Sequence, residues 1–274
     1  MNTARERVRA RQELASRAGA ALRVLQLADD PDTSAGDLAR AISTDPLFAA
    51  RVLRTANAAY YGLSGRVSTL AFAVSVMGFQ GVRSLAVMAA AGVDDSHGAP
   101  DGFWRAAAMC ATGGEIVAPM LGADPGDAFS VGLLHMIGSA LLHQSGEPGQ
   151  VHLCLPIGDD DGQLLADENE VFEIGHDALG AEVLESWHFP PHIYQVIGRH
   201  HQSAMPDAPA LERTLQIARS LTDAALSEDG EVPDPDSGYA WLSEGVIGAT
   251  VAESIMERMQ MRAEALLEGL RPGG

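Results

Sequence analysis

Histidine is the residue type through which this chain could do chemistry. His135, His176, His200 and His201 carry imidazoles, and neutral imidazole suits Zn²⁺ or another borderline transition metal. A metal site needs such rings to converge, each oriented by a hydrogen-bond partner. The opposing reading makes them hydrogen-bonded core residues, with His201 partly exposed. His176-Asp177 is not a chelating pair, because adjacent helix positions point about 100° apart. Arg199 and Arg219, near these histidines, are the candidates for pairing a phosphate.

Composition removes other chemistries. The chain has 274 residues, 18 of them basic, all arginine, and a formal net charge of −19. Without lysine there is no Walker A loop, no pyridoxal Schiff base and no lysine general base. The acidic balance repels a phosphate backbone and argues against nucleic-acid binding. The exception, Arg5, Arg7, Arg9, Arg11 and Arg17, reads as the exposed face of an amphipathic N-terminal helix. Cys110 and Cys154 lack Cys-x-x-Cys spacing and read as buried thiols of a reducing compartment. No Gly-x-Ser-x-Gly elbow is present. The run Gly158-Asp159-Asp160-Asp161-Gly162 lacks the glycine and glutamate of an EF-hand loop and reads as a solvated loop. Charges stand where a signal peptide needs an apolar core, and no uninterrupted apolar run approaches the roughly 18 residues of a membrane span. The expected location is the cytoplasm.

The elements that must position the histidines are helices. Ala21, Leu22, Leu25 and Leu27 continue one apolar stripe that ends at Asp29-Asp30-Pro31. Ser34 with Asp37 signals a capped start, and Asp45-Pro46 places an N-cap before a first-turn proline. Ser68 or Thr69 starts a helix that Gly78 closes, and another runs from about Gln80 to Ala91. The stretch Gly92–Gly102 reads as a linker. Beyond it a small-residue helix reaches about Leu121, and Asp124-Pro125 starts one that holds Phe129 through Leu142. His176, Leu179, Gly180, Val183, Leu184 and Trp187 form a stripe, and Pro190-Pro191 starts a helix reaching His200-His201. Helices around 210–226 and 243–269 follow. The expected fold is all-α and two-lobed: 1–98 as an N-terminal helical lobe, 99–226 as a second lobe, and 227–274 as a linker and C-terminal helix.

Several segments resemble one family together. Ser43-Thr44-Asp45-Pro46-Leu47, then Leu53-Arg54-Thr55-Ala56-Asn57 and Tyr60-Tyr61, are similar to the HDOD pattern, as is the helix ending in Met77-Gly78. Phe103-Trp104, Gly132 to Gly138 around His135-Met136, Gly175-His176 to Gly180, Trp187 to Pro190 and His200-His201 follow in the family's order. The resemblance spans about residues 12–225. It implies an all-helical domain whose second lobe is an HD-like bundle, related to HD-type metal-dependent phosphohydrolases. It also implies a non-catalytic module of bacterial signalling that acts through protein contacts. Relatives of HD type hold a divalent metal with an early His, a His-Asp dipeptide and a distal Asp. By the resemblance those positions fall at Ala106 or Ala107, at His135-Met136 and at Arg219. One ligand of four survives, and a thioether and a guanidinium oppose a hard cation. In relatives, histidines at the remaining positions bind further metals.

The expected function is therefore regulatory and non-enzymatic, with no cofactor and a protein partner. Asp45, Asn57 and Tyr60 are the interaction candidates, with Asn57 and Tyr60 hydrogen bonding across the lobe junction. The C-terminal stripe Val246, Ile247, Val251, Ile255, Met256, Met259 and Leu266 either packs on the core or forms a homodimer or partner contact. The alternatives are a metal-dependent phosphodiesterase built on the residual histidines, and a module that binds a nucleotide second messenger without hydrolysis.

Overall fold

A computed structural model describes residues 19–28, 30–93, 98–145, 161–227 and 238–270, and among these it contains helices and no strand. The first helices are α1 (Gly19–Ala28), α2 (Ala35–Ile42) and α3 (Pro46–Ala56). Ser34 and Asp37 form a reciprocal capping box at α2, and Asp45 Oδ1 accepts from the backbone of Leu47 and Phe48 at α3. These satisfy N–H groups that a helix start leaves without partners. All three helices pack against α4 (Leu70–Ala90).

The sequence reads α4 as two helices, and the structure joins them across a bend. Gly78 has φ 70 and ψ 167 in the middle of the element, a conformation that a side chain would strain. By length and composition α4 is apolar enough to cross a membrane, yet its second half buries Val82, Arg83, Ser84, Leu85 and Val87 inside the protein.

The hub of the second half is α5 (Phe103–Leu121), against which α6 (Pro125–Leu134), α11 (Ala210–Leu226) and α13 (Ala249–Leu270) pack. Its run of Ala106, Ala107, Ala108 and Ala111 lets these neighbours approach closely. The helix expected from Asp124 to Leu142 is interrupted at His135-Met136, and α7 (Ile137–Ser145) begins beyond the break. α8 (Asp161–Phe172) has no counterpart in the sequence reading, and the acidic run there turns out to include its start. α9 (His176–Ser186) lies against α7, and α10 (Pro191–Ile197) ends before His200-His201 rather than including them.

A short helix α12 (Tyr239–Leu242) precedes α13, whose start is six residues later than expected. α13 packs on the core, as one of the two readings of its stripe has it. Ile255, Met259, Ala263 and Leu266 are buried, while Val246 and Val251 stay exposed. Thr112 Oγ1 donates to Met259 O at 3.1 Å, and Arg54 Nε and Thr55 Oγ1 donate to Gly269 O at 3.2 and 3.1 Å. One hydrophobic cluster thus runs from Ala20 to Leu270 through both lobes. Arg5 through Arg17 and Cys154 lie outside the described residues.

Candidate functional site

Four loop or helix-end positions bring the histidines together. His135 ends α6, His176 opens α9, and His200 and His201 form the turn after α10. The close approach of α7 to α9 is what makes room: a Cβ at Gly138 would sit 1.9 Å from the His176 carbonyl oxygen. The His200-His201 turn is tied down from α11. Gln216 Nε2 donates to the His200 and Gln202 carbonyls at 2.9 and 2.7 Å, and Arg219 Nη1 donates to the His200 carbonyl at 2.5 Å.

Each ring's orientation follows from what its Nδ1 faces. His135 Nδ1 lies 2.7 Å from Gly132 O, and His200 Nδ1 lies 2.6 Å from Ile197 O. A carbonyl oxygen only accepts, so both rings carry their proton on Nδ1 and hold a lone pair on Nε2. His176 Nδ1 and its backbone N–H both reach Glu168 Oε2, at 2.7 and 2.8 Å. Glu168 is fully buried in α8. His176 Nε2 then faces His200 Nε2 at 3.2 Å and His201 Nε2 at 2.8 Å.

The nitrogens of His176, His200 and His201 lie within 4.8 Å of one another. A tetrahedral ion with Zn–N bonds near 2.1 Å needs nitrogens about 3.4 Å apart. The His176–His200 spacing matches it, and the His176–His201 spacing is that of a hydrogen bond.

His135 and His200 share a small cavity with Ala106, Cys110, Met136, Arg219, Thr222 and Asp223, whose volume is about 10 Å³. That is room for about one water. Burial first, and the Arg219 guanidinium second, push His135 down to about 3, and the same two causes hold His200 well below the ordinary imidazole range. Burial likewise pushes the Cys110 thiol up to about 12, so it is no thiolate nucleophile. Asp223, one turn beyond Arg219, puts an exposed carboxylate on the rim.

The remaining candidates divide. Arg199 is not beside Arg219: it pairs with Glu212 at 3.2 Å and lines a separate groove of about 320 Å³ with Asp127 and His192. Asp45 is the α3 cap. Asn57 works within the first lobe, where its amide donates to Val67 O at 2.7 Å and its Oδ1 accepts from Val67 N at 3.0 Å. Tyr60 does bridge the junction, donating to Glu115 while Arg262 reaches Tyr60 Oη at 3.2 Å and Glu115 at 2.6 Å. Reading the sequence missed Glu168, although Leu164, Leu165, Glu168, Val171 and Phe172 carry helical spacing.

Comparison with known proteins places this geometry in context. The sequence matches the HDOD domain over residues 14–203. A candidate phosphohydrolase from Shewanella amazonensis SB2B is similar in structure, with TM-score 0.64, 25% identity, and 91% of each chain covered. A candidate signal transduction protein from Marinobacter aquaeolei VT8 gives TM-score 0.67 and 26% identity over 90% of this chain and 57% of its own. An HDOD domain protein of unknown function from Geobacter sulfurreducens shares the fold, at TM-score 0.61 and 19% identity over 96% and 99% of the two chains. An uncharacterized protein of Treponema pallidum (strain Nichols) is 22% identical over 232 residues, and the match spans 77% of this chain but 42% of that protein's length.

Proposed function

As the chain belongs to the HDOD family, we propose that it is a non-catalytic signalling or regulatory module, read by a protein partner. One observation carries this reading. The cavity that would have to seat a water-activating metal and a phosphoryl group has about 10 Å³, with Ala106, Met136 and Arg219 on its wall. A phosphodiester enters there only if these side chains move. The likeness to a candidate signal transduction protein supports the regulatory half. A contact surface beside Asp45 is supported by Leu47, which is 85% exposed at the start of α3.

The test has two arms. Purified protein with Mg²⁺, Mn²⁺ or Zn²⁺ hydrolyses bis-p-nitrophenyl phosphate and cyclic dinucleotides no faster than buffer; turnover that disappears in His135→Ala overturns the reading. A defined protein recovered with the chain from its native cells is lost in Leu47→Asp while the melting temperature is unchanged. Recovery unaffected by that substitution removes α3 as the contact.

A second reading is favoured by one arrangement: His176, His200 and His201 present three nitrogens within 4.8 Å, with Glu168 behind His176. These residues fit a transition-metal ion in donor type and, for one pair, in spacing. The three imidazoles would hold the ion, and Glu168 would balance part of its charge. Such an ion supplies Lewis acidity when bound. Metal content of protein purified without chelators tests it: about one equivalent of Zn²⁺ that falls in His200→Ala supports the reading, and metal-free protein that takes up no added Zn²⁺ refutes it.

A further inference from the structure

Glu168 is a carboxylate with 0% exposure, which is costly unless its charge is answered. One oxygen, Oε2, takes both N–H groups of His176. The other, Oε1, is buried with no hydrogen-bond partner among the described residues. The backbone sets this up: α8 ends, Glu173 takes φ 63, and the chain doubles back so that the first residue of α9 faces the helix it has just left. Phe172, on the same face as Glu168 one turn later, is 1% exposed and anchors α8 against the core.

We propose that Glu168 is the positioning residue of the imidazole cluster: it fixes His176 as the Nδ1–H tautomer and turns its Nε2 lone pair toward His200 and His201. An imidazole left to itself puts its proton on either nitrogen. A ring whose Nδ1 faces a carboxylate oxygen at 2.7 Å, with its own backbone N–H on that oxygen, keeps the proton at Nδ1. His200 is held in the same sense by Ile197 O. Two lone pairs then face each other at 3.2 Å, an arrangement that calls for a proton or a cation between them. His201, 2.8 Å from His176 Nε2, supplies the N–H when no ion is present. The consequence for metal affinity rests on the reading that the cluster takes a transition-metal ion; the tautomer does not.

The experiment separates the two. In metal-free protein with ¹⁵N-labelled histidine, long-range ¹H–¹⁵N correlation assigns the proton of His176 to one nitrogen. The expected result is Nδ1–H in the wild type, kept in Glu168→Gln, whose amide oxygen still accepts, and lost in Glu168→Met, which has no acceptor. A wild-type His176 protonated on Nε2 overturns the proposal outright. So does Glu168→Met if it folds, judged by its melting curve, and keeps Nδ1–H. Zn²⁺ affinity measured against a chromophoric chelator is the second arm. Glu168→Gln, having lost the charge but not the tautomer, binds about 10- to 100-fold more weakly than wild type. Equal affinity overturns the claim that the carboxylate tunes the cluster. A wild type that binds no Zn²⁺ refutes the metal reading, and the tautomer result still decides the role of Glu168. If Glu168→Met does not fold, the wild-type tautomer and Glu168→Gln carry the test.

Discussion

Two buried imidazoles that resist protonation tie the stability of this chain to pH. His135 is held down to about 3, by burial and then by Arg219, and His200 well below 6.5 by the same causes. In the unfolded chain both titrate near the ordinary value of about 6.5. The folded state therefore binds fewer protons than the unfolded state below that value, and stability falls as the solution is acidified. The contribution is fully present above pH 6.5 and, for His135, is lost progressively toward about 3. Each ring gives a slope of about 1.4 kcal/mol per pH unit in that window. Integrated from pH 7.5 to 5.0, His135 alone removes about 2 kcal/mol, against a total of roughly 5–15 kcal/mol for a typical domain. His200 adds in the same direction. Carboxylates titrate too, so the informative quantity is a difference between variants. Urea unfolding with EDTA present, at pH 7.5, 6.5, 5.5 and 5.0, compares wild type with His135→Gln. The substitution shifts the whole curve, but the variant loses about 2 kcal/mol less over that range. Parallel curves would show that the His135 ring takes up its proton while folded, and that burial and Arg219 do not hold it neutral.

Three further outcomes follow from packing and charge. Gly138→Ala puts a methyl 1.9 Å from the His176 carbonyl oxygen, so α7 and α9 must separate; thermal melts show a loss of about 4 kcal/mol or more, or no soluble protein. Tyr60→Phe removes the hydroxyl that joins Glu115 and Arg262 but leaves their 2.6 Å pair, and chemical denaturation registers a loss of about 1 kcal/mol. A chain ending at Gly248 loses the faces of Ile255, Met259, Ala263 and Leu266 from the shared cluster and the Thr112–Met259 and Thr55–Gly269 hydrogen bonds. It shows no cooperative unfolding transition by circular dichroism; a sharp transition would mean that α13 is an accessory rather than part of the core.

What could be read from residues alone was whatever local chemistry decides. The capping box at Ser34, the Asp45-Pro46 and Asp124-Pro125 starts and the left-handed Gly78 are local, and the structure places each where its spacing says. The errors fall where long-range packing overrides a local pattern. Phe129 through Leu142 keep an unbroken apolar spacing, yet the chain breaks at His135-Met136, where α7 turns away to lie against α9. That break is what releases the His135 ring to bond Gly132 O. Asn57 illustrates the converse: its polarity in an apolar helix was legible, but its partner, Val67, depended on a loop closure ten residues long that no periodicity encodes.

The candidate site divides along the same line. Its imidazoles stand out in the sequence because the HDOD-like motifs carry them; their orienting groups do not, because Glu168, Gly132 O and Ile197 O are ordinary until the fold brings them to Nδ1. The contrast between the two halves of the cluster follows from those groups. Around His135 the neighbours are the Arg219 guanidinium and, on the rim, the Asp223 carboxylate. Around His176 the neighbour is a buried carboxylate, and the three nitrogens face inward. The carboxylate of the cluster therefore stands at its His176 end and the guanidinium at its His135 end.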